Sequence, residues 1–109
     1  MPARSVSAKL LRLESSHERA FVRALRAFNL ETLKLNVQGQ RGWPDRVVLV
    51  PPGKAVFVEL KREDKELRAL QEYRRERLER AGFVVLQASG EHGVLHAVQM
   101  IKRIAEWNQ

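Results

Sequence analysis

The chain has 109 residues, a formal net charge of +7 at pH 7 and no cysteine. This length suits one domain with a single hydrophobic core and excludes a second core of similar size. The lack of cysteine excludes disulfides, Cys-bound zinc, iron–sulfur clusters and thiol nucleophiles, so a metal ion is expected only on oxygen or histidine ligands. Hydrophobic residues make up 44% of the sequence and charged residues 30%, and no apolar run reaches the roughly eighteen residues of a membrane span.

The excess of positive charge predicts a polyanionic partner, because each Lys or Arg that meets a phosphate gains from counterion release. This excess lies near the front, where the first forty-one residues carry eight basic side chains against Glu14, Glu18 and Glu31. A basic surface without a nucleic-acid partner is the alternative.

The sequence indicates one domain over residues 1–109, in which only Met1–Val6 resemble a linker or a disordered arm. Met1–Leu13 contain no apolar segment of the kind found in secretory signals. We therefore expect an intracellular protein, in the cytoplasm or the nucleoid, without a membrane partner.

Hydrophobic periodicity predicts a first helix from Ser15 or Ser16 to about Phe28. The side chains expected to face inward are Ala20, Phe21, Ala24, Leu25 and Phe28. Those expected on the opposite side, as a basic ridge, are Arg19, Arg23 and Arg26. Lys9–Leu13 either extend this helix or form a separate turn.

Three strands are expected next. Apolar and polar residues alternate over residues 33–37, which is typical of a half-exposed strand, and Gly39 and Gly42 end it. Val47–Val50 and Ala55–Leu60 are joined by a Pro-Pro-Gly-Lys turn and are expected to pair as a hairpin.

A second helix is expected to start at Glu63 or Asp64, either of which can cap it, and to end near Ala81. Its expected inward residues are Leu67, Leu70, Leu78 and Ala81. A fourth strand, Phe83–Ala88, and a last helix, Gly93–Trp107, follow. The predicted order is α-β-β-β-α-β-α, an α/β fold in which helices flank a small mixed sheet.

Two carboxylates and one ammonium group, which metal-dependent nucleases use, lie near the ends of the two hairpin strands. Glu59 and Lys61 share one face of their strand, and the turn brings Asp45 opposite residue 59 or 60. Two neighbouring carboxylates repel each other unless one keeps its proton or both bind a divalent cation, and all-oxygen ligation suits magnesium. Lys61 would then position or help deprotonate an attacking water. The alternatives are a loose ion pair at an exposed strand end and, for Asp45, a plain turn residue.

Four features follow one another in the order found in a known family. They are Gly-Trp-Pro-Asp from residue 42, Glu-Leu-Lys from residue 59, a helix with Gln71, and Gly-Phe-Val-Val from residue 82. They resemble the VRR-NUC domain, a branch of the PD-(D/E)xK nuclease superfamily, over about Ser15 to Ile104. The resemblance implies a restriction-endonuclease-like core, dependence on Mg²⁺ or Mn²⁺, and hydrolysis of DNA phosphodiester bonds. Because the chain has the size of a stand-alone family member, the resemblance also implies a homodimeric enzyme that acts on branched DNA such as Holliday junctions.

The resemblance also implies roles for the matching residues. Asp45 and Glu59 match metal-binding carboxylates, and the Leu60 carbonyl would add a backbone ligand. Lys61 matches the catalytic lysine.

Two further site residues carry open alternatives. Glu18 is the candidate for an acidic metal ligand on the first helix, but it also fits a capping box that begins at Ser15. Gln71 is expected either to steady Lys61 or a metal-bound water, or to be a structural glutamine with its own hydrogen-bond partners.

Other side chains receive less specific interpretations. Trp43 is expected to cover the core, and stacking on an unpaired base is the alternative. Arg74 either reaches toward phosphate or extends its charged end to solvent. The histidines lack metal-ligand spacing and are expected on the surface; they are His17, His92 and His96.

Two other functions compete with a DNA nuclease. One is a catalytically idle DNA-binding accessory protein on the same fold. The other is an RNA-processing nuclease of the same superfamily, since a fold alone does not choose between nucleic acids.

Overall fold

The computed structural model describes the backbone of residues 6–60 and 67–107 and the side chains of residues 16–60 and 67–107. Its elements are α1 (Val6–Arg26), β1 (Glu31–Lys34), β2 (Arg46–Val50), β3 (Lys54–Leu60), α2 (Arg68–Arg80), β4 (Val84–Ala88) and α3 (Gly90–Trp107). This order confirms the predicted α/β fold. Every helix within these ranges is too short or too polar to pass through a lipid bilayer.

The four strands of the described chain form one mixed sheet in the order β1-β2-β3-β4. The β1–β2 and β2–β3 pairs are antiparallel and the β3–β4 pair is parallel. Arg46 lies opposite Val58 and Val50 lies opposite Lys54, so the predicted hairpin is confirmed. A short turn cannot join two parallel strands. The connection from β3 to β4 therefore contains α2.

The main core lies between one face of the sheet and the helices α1 and α3. Every second residue of β2 and β3 points into it, as strand geometry requires; these are Val48, Val50, Val56 and Val58. Phe21 and Leu25 of α1 and Ile101 of α3 pack against them and are fully buried. The predicted stripes of the first and last helices therefore meet over the sheet.

The first helix departs from its predicted bounds. It begins at Val6, so Lys9–Leu13 extend it, and it ends at Arg26. Ala20 is exposed. Phe28 is also exposed, because it follows the helix end, and its ring lies 4.6 Å from the Lys102 ammonium. Both residues were wrongly predicted to face the core.

The second half shows similar shifts. The expected caps Glu63 and Asp64 and the expected arm before Val6 lie outside the described residues. Of the predicted inward residues of α2, Leu78 is buried, whereas Leu70 and Ala81 are exposed. That prediction was wrong for the last two, since α2 packs mainly against β4 at the margin of the sheet.

The first strand is also shorter than predicted, and the last helix is longer. β1 covers Glu31–Lys34, so residues 35–37 follow the strand. The last helix begins at Gly90, three residues before the predicted start.

Gly42 lies in the segment before β2 and packs closely against Leu70 of α2. Its φ of +87° lies in the left-handed region, and a Cβ at this position would be 2.8 Å from Leu70 Cβ and 2.9 Å from the Leu70 carbonyl carbon. Only glycine combines this backbone conformation with so close an approach.

We expect Gly42→Ala to destabilise the fold more than Gly39→Ala. Both replacements carry the left-handed cost of about 1–2 kcal/mol, because Gly39 has a φ of +76°. Only Gly42→Ala adds a clash, worth about 1–3 kcal/mol, since no heavy atom lies within 4 Å of a Cβ at Gly39. Urea denaturation of both variants measures the difference, and equal losses of unfolding free energy would contradict the packing described.

Candidate active site

Asp45 lies directly before β2 and makes three hydrogen bonds among the described residues, two to β3 and one to the residue after β1. Its N–H donates to the Val58 carbonyl (3.1 Å), and its own carbonyl accepts from the Leu35 N–H (2.8 Å). Its carboxylate oxygen Oδ2 accepts from the Leu60 N–H at 2.7 Å. The side chain therefore supplies an acceptor to β3 beyond the last paired residues of the hairpin, and this bond fixes its position.

Glu59 is the neighbouring carboxylate and is only 7% exposed. Its Oε2 accepts from Gln87 Nε2 at 3.1 Å, and Gln87 is its register partner on β4. A buried carboxylate is costly unless it is hydrogen-bonded, which explains the amide beside it. The last register pair of the hairpin is Arg46–Val58, so Asp45 directly precedes this pair on one strand and Glu59 directly follows it on the other.

Glu18 of α1 meets Arg46, the first residue of β2. Its carboxylate accepts a hydrogen bond from the Arg46 guanidinium, and the two side chains are 24% and 12% exposed. Because α1 begins at Val6, Glu18 is not in its first turn and the capping-box alternative is wrong. The role of Glu18 as a metal ligand stays a prediction.

The remaining predicted site residues stand as follows. Lys61 lies outside the described residues, directly after β3. Gln71 lies in the first turns of α2 with its side chain half-buried, and its role stays a prediction.

Trp43 and Arg74 form a unit next to the site. The Arg74 guanidinium lies 4.9 Å from the centre of the Trp43 ring, and its Nε donates to the Arg41 carbonyl at 3.1 Å. The Trp43 indole N–H donates to Gln40 Oε1 at 2.9 Å. Trp43 is half-buried, and Arg74 covers it. Arg74 thus ties α2 to the loop that leads into Asp45.

The three histidines are all exposed, as the sequence predicts.

A chain of known structure titled "VRR_NUC domain" matches over 85% of this chain and 94% of its own length, with a TM-score of 0.59 and 24% sequence identity. The chain has the VRR-NUC fold. The resemblance predicted from the motifs is thereby confirmed for the fold. Comparisons with protein-family models and with curated proteins find no match.

Within this VRR-NUC fold, the donor groups at the sheet end suit a hard divalent cation. Asp45 and Glu59 offer carboxylate oxygens and Leu60 offers a carbonyl. Over residues 16–60 and 67–107, no three His, Cys, Asp or Glu side chains cluster closely enough to hold a metal ion. Two carboxylates still suffice for Mg²⁺, which usually keeps several waters and takes phosphate oxygens as further ligands.

Two residues that organise this part of the VRR-NUC fold, Gln87 and Arg46, were not predicted from the sequence. Gln87 contacts Glu59 across the parallel β3–β4 pair, which joins residues 28 positions apart. The only local signal is a polar residue inside an otherwise apolar strand. Arg46 was missed because its partner Glu18 lies on another element, also 28 positions away.

Asp45 allows its structural and chemical contributions to be separated. Asp45→Ala leaves the Leu60 N–H without its acceptor and is expected to lower the unfolding free energy by about 1–3 kcal/mol. Asp45→Asn keeps an oxygen acceptor and removes the charge, so its stability should stay close to that of the parent. Chemical denaturation of the two variants measures this; equal destabilisation by both would contradict the role of the Leu60 bond.

Proposed function

We propose that this protein is a metal-dependent endonuclease that hydrolyses phosphodiester bonds in DNA. The observation that carries the proposal is the pair Asp45 and Glu59 at one end of the β2–β3 hairpin, within a VRR-NUC fold. The net charge of +7 supports a polyanionic substrate.

Different residues of the chain are proposed to bind the metal ion, to orient the attacking water and to hold the carboxylates in place. Asp45 and Glu59, with the Leu60 carbonyl, would hold Mg²⁺, for which Mn²⁺ is expected to substitute. When bound, such an ion supplies Lewis-acid activation of the scissile phosphate and lowers the pKa of a coordinated water. Lys61 orients the attacking water and stabilises negative charge on the phosphate. The Gln87 amide and the Leu60 N–H hold the two carboxylates in place.

Gln71 and Glu18 have supporting parts in this proposal. Gln71 lies on the half-buried side of α2 and steadies Lys61 or a metal-bound water. Glu18, a tentative ligand, holds Arg46 through its carboxylate, so its contribution to metal binding is expected to be smaller than that of Asp45 or Glu59.

Selectivity for branched DNA such as Holliday junctions, and a homodimeric state, are the finer parts of the proposal. Both derive from the resemblance to stand-alone VRR-NUC domains. The small size of one domain supports them, because a junction offers more duplex than a domain of 109 residues can cover. Sedimentation velocity at micromolar concentration tests whether the protein is a dimer. A monomer at that concentration would contradict the proposal that it cleaves Holliday junctions.

Lys61→Ala is expected to lower the cleavage rate by about 100-fold or more, because the variant has no preorganised cation near the reacting phosphate. The matched control is Lys54→Ala, which removes the same charge from the exposed first residue of β3. The assay incubates labelled linear, flapped, Y-form and four-way DNA, and matched RNA, with Mn²⁺. An active Lys61→Ala variant would refute the assigned role, and cleavage of RNA alone would favour the RNA-processing alternative.

Metal binding separates an enzyme from an idle accessory protein. Calorimetric titration with Mg²⁺ or Mn²⁺ in the presence of uncleavable DNA should show binding that Asp45→Asn and Glu59→Gln each weaken by at least about tenfold. The matched control is Glu31→Gln, which changes an exposed carboxylate at the far end of β1 and should bind the ion like the parent. DNA binding without any metal uptake would support the accessory alternative.

A further inference from the structure

A cleft of about 720 Å³ lies between the later half of α1 and the adjoining ends of β1 and β2. We call it the basic cleft. Its charged lining residues are Glu18, Arg19, Arg23, Arg26, Lys34 and Arg46. The predicted basic ridge of the first helix thus forms one wall.

The charge of the basic cleft is far from balanced. Among its lining residues, five basic side chains face one carboxylate, and that carboxylate, on Glu18, binds Arg46. Four cationic groups therefore remain in excess. Arg23 and Arg26 lie in the last turn of α1, where cations stabilise the helix dipole. That effect accounts for neither Arg19 nor Lys34, so helix stability alone does not explain the cleft.

The side of the basic cleft formed by the sheet is held in place. The Arg46 guanidinium donates to Glu18 and, through Nε, to Thr32 Oγ1 at 3.2 Å. The Thr32 hydroxyl in turn donates to the Val47 carbonyl at 3.1 Å. These bonds fix Arg46 between α1, β1 and β2, so the cleft is formed before any ligand arrives.

The basic cleft adjoins the candidate active site. Arg46 follows Asp45 directly in the chain, and Lys34 is the register partner of Arg46. All three residues lie at the sheet end that carries Glu59. Because side chains alternate along a strand, Arg46 lies on the α1 face with Val58, whereas Glu59 points to the other face. A polymer that runs around this end of the sheet would therefore meet both the carboxylate pair and the cleft, whereas a small substrate would not need the cleft.

We propose that the basic cleft binds the sugar-phosphate backbone of the DNA next to the bond that is cut. This inference rests on the proposed function for the choice of DNA. The four excess cations repel one another in the free protein, and backbone phosphates relieve this repulsion while releasing counterions. The cleft binds phosphates, so it contributes affinity and register but no base specificity.

The test compares two double variants that remove the same charge. Arg23→Ala with Lys34→Ala takes one cation from each wall of the basic cleft, and Arg80→Ala with Arg103→Ala takes two exposed cations from α2 and α3. Binding of a fluorescent 20-bp DNA duplex (roughly two helical turns) is measured by anisotropy in EDTA over a range of salt concentrations. EDTA prevents cleavage, so the measurement does not depend on activity.

The cleft variant is expected to bind about tenfold or more weakly near 0.1 M salt. It should also reduce the steepness of log K against log salt by about 2, one for each phosphate that the two removed cations would neutralise. The control pair should keep the parent slope. A third variant, Arg23→Lys with Lys34→Arg, retains the charges and should bind within about threefold of the parent. Circular dichroism and urea denaturation exclude unfolding as the cause.

Equal slopes for the two charge-removing variants would overturn the proposal, even if the enzyme cuts DNA normally. Conversely, a protein that never cleaves but shows the expected change of slope would retain the basic cleft and lose the nuclease function. Weakened binding with an unchanged slope would also contradict the proposal, because neutralising a phosphate must release counterions.

Discussion

The hydrogen bond from the Leu60 N–H to the Asp45 carboxylate is the constraint on which the site depends. The register pairs of the hairpin end at Arg46 and Val58. Beyond them the Asp45 N–H still donates to the Val58 carbonyl, and the Asp45 carboxylate accepts from the Leu60 N–H at 2.7 Å. This bond holds the end of β3 against the residue before β2, and Glu59 lies between the paired Val58 and the donor Leu60. The geometry of the acidic pair therefore follows from the hairpin itself, with α2 steadying the preceding loop through Gly42 and Arg74.

Local patterns predict most of this fold. Two β-rich runs joined by a Pro-Pro-Gly-Lys turn predict the hairpin and leave its register open by one residue. Helical periodicity predicts the burial of Phe21, Leu25 and Leu78. The predicted ends of helices and strands are wrong where tertiary packing decides them. Phe28 continues the apolar spacing of α1, yet the helix ends before it, at Arg26. The Glu59–Gln87 and Glu18–Arg46 pairs join distant residues, and no local pattern carries that information.

The acidic pair and the basic cleft lie at the same end of the sheet. Asp45 and Arg46 are consecutive, but one binds the Leu60 N–H and the other is turned to Glu18 and Thr32. A carboxylate on α1 thus keeps an arginine directed toward the helix, next to residues suited to a cation. Under the proposed function, this separation would let neighbouring residues serve a metal ion and a polyanion at the same time.

The parallel pairing of β3 with β4 has a consequence for biosynthesis. During translation the hairpin leaves the ribosome first, and Gln87 emerges 28 residues after Glu59. Until then β3 has an open edge and its glutamate faces water, since long-range parallel pairing forms late. A nascent chain would thus carry both carboxylates before it carries the Gln87 amide, and the position of Glu59 would be fixed only when β4 has been made and has docked.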